Sequence, residues 1–360
     1  MNSDSLVDAA AAASSSIAAL ARELTVIIPA YNERASLADT IRSLQAQTVS
    51  VKAVIVVDDC STDGTGEVAR SMGVTVVRPS SNTGSKAAAQ NVALAQIDSM
   101  FTMAIDADTT LAPDAVERLL AAFHDPQVAA ACGFVEPRYR GSVWERGRYI
   151  EYLLAFTFYK PIQDFYGKPL ISSGCFSAYR TDILKACGGW SNRTMAEDVD
   201  LTWRFYFAGY KVRFVAEARS YPIEPHNFHF MRKQLKRWSH GMIQNVRLHW
   251  RSVLHVPYLR STVAVALWDA VMASIGYLVV VPLLALLFMN PLFFLAYVLD
   301  APVVLIPVLL ASGGKRRVGE VLASVPAFFV LRTVNSVFIL EALWSELVMR
   351  RPLLVYEKGH

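Results

Sequence analysis

Two rhythms of apolar residues divide this chain. Over residues 24–125, short runs rich in β-branched side chains alternate with stretches whose apolar positions recur every three to four residues. LTVIIPAYNE (24–33) predicts a buried strand leaving its sheet at Pro29, and Leu37, Ile41 and Leu44 predict the helix after it. AVIVVDDCSTDGT (53–65) predicts a second strand running into acids and small polar residues. GVTVVRP predicts a third, followed by the turn SNTGSK and a helix over 87–97, and FTMAIDADTT a fourth strand ending in two aspartates. Strands alternating with helices predict a mainly parallel, doubly wound α/β sheet. Its polar residues collect at the carboxyl ends of the strands, where open sheets of this kind bind ligands.

Beyond residue 125 the alternation loosens into longer helices and isolated strands. ISSGCFSAYR predicts a strand and turn, and EDVDLTWRFYFAGY a helix stopped at Gly209. From Phe228, apolar residues at Met231, Leu235, Trp238 and Met242 have the spacing of an amphipathic helix. The second rhythm is then nearly continuous: segments at about 262–289, 291–311 and 320–343 are each long enough to cross a bilayer. These patterns divide the chain into a flexible or weakly amphipathic tail (1–22), an α/β domain (23–225), an amphipathic interfacial helix (226–258), a transmembrane region (259–345) and a C-terminal tail (346–360).

Composition sharpens this division. Hydrophobic residues make up 53% of the 360, and their excess lies in the last third. A net charge of +4 is too small to argue for nucleic acid. The basic surplus instead flanks the apolar tail, at Arg232, Lys233, Lys236 and Arg237 and at Lys315, Arg316 and Arg317, where it fits anionic lipid on a cytoplasmic face. Four cysteines without metal spacing or a disulfide framework fit a reducing compartment. The N-terminus has Asp4 and Asp8 in place of a basic region, which is unlike a signal peptide.

Each candidate site has a functional and a plain reading. In DAD, Asp106 and Asp108 lie two apart at a strand end, so the two-residue period turns both the same way and lets them converge beyond the strand. They are either two hard oxygen donors for Mg²⁺ or Mn²⁺ on a diphosphate, or a solvated turn. Asp58 and Asp59 suit a base or ribose, while Ser61, Thr62 and Asp63 suit a helix cap. Lys86 meets a phosphate near a helix N-terminus or is an ordinary surface lysine. Glu197 and Asp198 open a helix, where a carboxylate gains about 0.3–1 kcal/mol from the dipole. That gain lowers basicity, so a general base there needs burial or a neighbour such as Asp200 to offset it. In QLKRWSHG (234–241), Gln234, Arg237 and Trp238 share one helical face, with Lys233 and Lys236 further round. The stretch can therefore rest on a membrane and close a site with its other face.

Taken in order, PAYNE, DDCSTDGT, NTGSK, DAD, SGCFSAYR, GGW, AED and QLKRW resemble family 2 of the inverting glycosyltransferases. The likeness is greatest to the membrane-embedded branch with cellulose, hyaluronan and poly-N-acetylglucosamine synthases. It implies a GT-A fold, Rossmann-like, followed by an interfacial helix and C-terminal transmembrane helices. It further implies that Pro29, Tyr31, Glu33, Asp58 and Asp59 line a nucleoside pocket with Lys86 and Asp106 nearby. Asp108, with Asp106, would hold Mg²⁺ or Mn²⁺ on the UDP diphosphate, and Asp198, beside Glu197, would be the general base. Gln234, Arg237 and Trp238 match Q-x-x-R-W, which in the family contacts the diphosphate and the acceptor sugar. Two positions depart from the pattern: Ala196 replaces a threonine, and Cys60 stands where glycine is common.

The implied protein is a metal-dependent membrane enzyme with its catalytic domain in the cytoplasm, forming a β-linkage from a UDP-sugar. Its acceptor is a growing glycan or, in the alternative, a lipid such as ceramide or a polyprenyl phosphate. A noncatalytic scaffold is the third reading. Three spans are few for a polymer channel, which suggests a homo-oligomer. Three spans also leave Arg350 and Arg351 on the face opposite the other cations, against the positive-inside rule, and the third segment, carrying Arg332 and Glu341, is the suspect. Asp269, Asp300, Arg332 and Asn335 lie in or beside the apolar segments and either line an acceptor path or pair with one another.

Overall fold

The computed structural model describes residues 16–299, 301–311 and 315–354. It divides into two units. One comprises Met1–Val135, Ile171–Asn192 and Asp200–Pro222; the other comprises Glu136–Leu170, Arg193–Val199 and Ile223–His360.

The first unit is built on an eight-stranded sheet. Its strands are β1 (Leu24–Ala30), β2 (Ala53–Asp58), β3 (Thr75–Val77), β4 (Phe101–Ile105), β5 (Thr109–Leu111), β6 (Val128–Val135), β7 (Phe176–Arg180) and β8 (Lys211–Pro222). Their order is β3-β2-β1-β4-β7-β6-β8-β5. The first four positions are parallel, with Ala30 opposite Asp58 and Leu24 opposite Phe101. β7 runs antiparallel to β4 and β6, and β8 is parallel to β6. All four strands read from the first rhythm are present, and the sheet is mainly parallel. Val26, Ile28, Met103 and Ile105 are buried in the core beneath the helix Leu37–Gln45, which contributes Leu37, Ile41 and Leu44. Residues 16–21, assigned to the tail by sequence, are helical, and Ile17, Ala18, Leu20 and Ala21 pack on this core. Ala21 is fully buried, so the core begins before residue 23.

The second unit is helical. Val143–Leu154 opens on a capping box: Ser142 Oγ accepts the Glu145 N–H at 3.2 Å, and the Glu145 carboxylate accepts the Ser142 N–H at 2.8 Å. Asn227 caps the long helix Phe228–His255 by accepting the Phe230 N–H. Its apolar stripe turns inward, with Met231 and Leu235 packed against Leu331 and with Trp144, Val334 and Phe338 around them. Leu259–Leu287, Pro291–Leu310 and Arg317–Val348 are long and apolar enough to cross a membrane, close to the three segments expected. Asp269 and Arg332 face each other at 3.8 Å, so these two charges pair. Asp300 lies outside the described residues. The segment 136–170, assigned by sequence to the α/β domain, falls in the helical unit. Gly147 allows a close approach there: a Cβ would come within 2.8 Å of the Ala327 carbonyl oxygen.

Candidate active site

In the first unit the acidic motifs follow the strand ends. Asp58 closes β2, fully buried, where it accepts the Ser61 N–H at 2.9 Å and pairs with Arg78. Asp59 accepts from Thr83, through its N–H at 2.7 Å and its hydroxyl at 2.9 Å, which ties the NTGSK turn to the end of β2. Cys60 between strand and cap has φ +64°, left-handed backbone that glycine adopts without a Cβ penalty. This gives a physical reason for the glycine that the resemblance leads one to expect there. Glu33 is buried, accepting from the Ser36 hydroxyl at 2.7 Å, and its own N–H donates to Thr65 Oγ1 at 2.8 Å. Pro29 lies within β1, and Tyr31 just beyond it is 44% exposed.

Lys86 begins the helix Lys86–Leu94, which Ser85 caps. Its ammonium group pairs with Asp106 and donates to the Gly174 carbonyl at 3.0 Å. Neither the phosphate reading nor the surface reading anticipated this partner. The DAD residues do not continue β4. The Asp106 carbonyl accepts the Thr109 N–H at 3.1 Å, so they form a turn into β5. The two-residue strand period therefore does not set the direction of Asp106 and Asp108. Among the described residues no group of three or more His, Cys, Asp or Glu side chains is placed to hold a metal. Asp106 and Asp108 carry hard carboxylate oxygens of the kind Mg²⁺ and Mn²⁺ take, and Asp106 is engaged by Lys86.

In the second unit, Glu197 and Asp198 open the helix Glu197–Phe207 as expected. The stretch before them is strapped to the helix that carries Q-x-x-R-W. Asn245 donates to the carbonyl of Ala196 at 3.0 Å and to Thr194 Oγ1 at 3.1 Å, and Gln244 accepts the Met195 N–H at 2.8 Å. Gly241 provides the room, since a Cβ there would fall 2.7 Å from both Cβ and N of Ala196. Asp198 and Q-x-x-R-W thus share one scaffold. Asp200, expected as a neighbouring carboxylate able to offset the helix dipole, pairs with Arg204 at 2.8 Å in the first unit.

Gln234 and Trp238 of Q-x-x-R-W are organised around Arg148, a residue that no sequence pattern singles out. Arg148 is fully buried; it donates to Gln234 Oε1 at 2.7 Å and stacks on the Trp238 ring. It pairs with Glu151 and lies 3.5 Å from Glu224. Glu224 also accepts from the Tyr152 hydroxyl at 2.7 Å and from Gln234 at 3.3 Å. Burial pushes the Glu224 carboxyl above the usual range, against the pull of Arg148, Tyr152 and Gln234. Trp238 remains 38% exposed, and Arg237, next to it in sequence, is half-buried. Lys236, expected to be free for headgroups, pairs with Glu341.

Residues 25–188, a little under half of the chain, match the profile of Glycosyl transferase family 2, and the sheet that holds them is of GT-A type. Over 223 residues, 61% of the chain, it is 27% identical to the poly-beta-1,6-N-acetyl-D-glucosamine synthase of Staphylococcus aureus strain COL. It is 26% identical to the Staphylococcus epidermidis synthase of the same name over the same length. The chain spans about half the length of these relatives, 54% of each. A solved mannosyltransferase from Pyrobaculum calidifontis, in complex with GDP-Man and Mn2+, shares the fold at a TM-score of 0.59. That match has 19% identity and covers 91% of this chain and 88% of the other.

Proposed function

We propose that this chain is a membrane-bound, inverting β-glycosyltransferase that moves a sugar from a UDP-sugar onto a growing glycan. The observation that carries the proposal is the scaffold joining Asp198 to Q-x-x-R-W through Gly241, Gln244 and Asn245. A base and the groups that meet the leaving diphosphate must hold fixed positions if one displacement is to involve both. Asp198 takes the proton of the acceptor hydroxyl as that oxygen attacks the anomeric carbon, and the nucleoside diphosphate leaves from the opposite face. Inversion of an α-linked donor gives a β-linkage. Arg237 balances charge developing on the diphosphate, a contribution made mainly in the transition state. Gln234 and Trp238 seat the acceptor sugar.

The nucleoside half of the donor is assigned to Pro29, Tyr31, Glu33, Asp58 and Asp59, with Lys86 at the phosphates. Asp106 and Asp108 would hold a divalent cation, which when bound neutralises diphosphate charge. The names of the staphylococcal relatives make UDP-N-acetylglucosamine the first donor to try.

The test is transfer by purified protein supplied with a panel of UDP-sugars and Mg²⁺ or Mn²⁺, with UDP release followed and products sized. A ladder of β-linked product is expected. A single lipid-soluble product would replace the polymer reading with transfer to a lipid, and no UDP release from any donor would leave a noncatalytic scaffold. Asp198→Asn should keep donor binding and lose turnover; full turnover would remove Asp198 as the base.

A further inference from the structure

Of the three apolar helices, Arg317–Val348 has surroundings unlike those of a bilayer span. It is tethered by polar side chains near both ends. Glu320 accepts from Arg140 at 2.9 Å, Glu341 pairs with Lys236, and Glu346, fully buried, lies 2.8 Å from His240 Nδ1 and accepts from Gln244 Nε2 at 2.7 Å. Arg247 donates to the Glu346 carbonyl at 3.0 Å, and the Leu353 N–H to its carboxylate at 3.1 Å.

Between these ties it packs on two charged helices, and Arg332 also meets the first apolar segment, at Asp269 and over the Tyr277 ring. Val143–Leu154 lies against it at Gly147 and carries Glu145, Arg146, Arg148 and Glu151. Phe228–His255 lies against it at Met231 and Leu235 and carries Arg232, Lys233, Lys236 and Arg237. Neither is apolar enough to cross a membrane. If Arg317–Val348 crossed, both would follow it into hydrocarbon, where each charge is costly.

Its outer face points to a different place. Leu322, Val330, Val337 and Trp344 are 50%, 46%, 49% and 61% exposed, and their spacing of seven to eight residues sets them on one side of the helix. An apolar stripe ending in tryptophan, with Arg317 before it and Arg350 and Arg351 after it, has the composition of a helix lying in the headgroup region.

We propose that Arg317–Val348 does not cross the bilayer. It lies along the membrane surface on the side of the Q-x-x-R-W helix, with its Leu322–Val330–Val337–Trp344 stripe docked on lipid. Leu259–Leu287 and Pro291–Leu310 then form a two-span hairpin that returns the chain to its starting side. This arrangement puts Arg350 and Arg351 on the same face as Arg232 and Lys233, in agreement with the positive-inside rule.

The full chain in sealed vesicles of both orientations tests this with epitope tags at the N-terminus, in the Met289–Asn290 turn and at the C-terminus. The two terminal tags should be accessible from one side and the turn tag from the other. A C-terminal tag sharing the side of the turn tag would restore three spans, and three tags on one side would remove the hairpin. Val330→Trp, an exposed position at the middle of the helix, reads depth independently of catalysis. Its added fluorescence should be quenched more by lipids brominated near the headgroup than by lipids brominated near the chain end. The reverse order would overturn the proposal.

Discussion

The guanidinium carbon of Arg148 sits 4.4 Å from the centroid of the Trp238 ring, and the same guanidinium donates to Gln234. Two members of Q-x-x-R-W thus rest on one buried cation from a different helix. Arg148 remains charged: its burial opposes this, but Glu151, Tyr152 and Glu224 outweigh burial and raise its pKa.

Arg148→Met would leave Glu224 buried without its cation, and losing one partner of a buried pair costs about 3–5 kcal/mol. The single variant is expected to melt well below the parent in detergent and to lose transfer. Adding Glu224→Gln removes the stranded carboxyl, so the double variant should regain most of the melting temperature. It should remain poor in transfer, because Gln234 and Trp238 still lack their support. Recovery of both together would show that Arg148 serves stability alone.

The strands and the acidic motifs were legible because each sits in a short β-branched run with polar residues at one end, as in AVIVVD followed by DCSTDGT. β6 was not read individually. Its VAAACGFV lacks the branched bulk of a typical strand, because Gly133 faces Phe176 with no room for a Cβ. Cys60 was legible as a departure, and its positive φ supplies the physical meaning. Arg148, Glu224, Gly241 and Asn245 were silent for a different reason. Each acts on a partner that only the fold brings near, as when Arg148 reaches Gln234 across 86 positions of sequence. Gly241 left one trace, a glycine inside an otherwise regular amphipathic pattern.

A pH effect is expected at Asp63. Its carboxylate accepts the N–H groups of Arg34 and Thr65, both at 3.0 Å, and the Thr65 hydroxyl. Burial raises its pKa, but these hydrogen bonds together outweigh burial and hold it below the usual carboxylate range. A depressed carboxyl stabilises the fold above its unfolded pKa, and the contribution fades as pH falls through the folded value. Asp63→Asn should therefore melt lower than the parent at neutral pH, by about 1 kcal/mol. The gap should narrow below about pH 4. Melting curves taken across that range check it, and a constant gap would mean that the carboxylate's charge plays no part.

Gly241 gives the sharpest test of the scaffold beneath Asp198. It is the last residue of QLKRWSHG, inside the helix Phe228–His255, where alanine would ordinarily stabilise by about 1 kcal/mol. Here a Cβ would meet Ala196 at 2.7 Å, so Gly241→Ala must push the Met195–Ala196 backbone away from the helix. Asp198 follows two residues later and would move with it. A displacement near 1 Å at a reacting group lowers rate on the order of 100-fold. The variant should therefore lose turnover while its KM for the donor stays close to the parent value, since no donor-pocket residue is touched. Part of the clash is between two Cβ atoms, so Ala196→Gly combined with Gly241→Ala exchanges the methyl across the contact. The exchange should restore much of the lost turnover; equal losses in the single and double variants would mean that the helix does not set the position of Asp198.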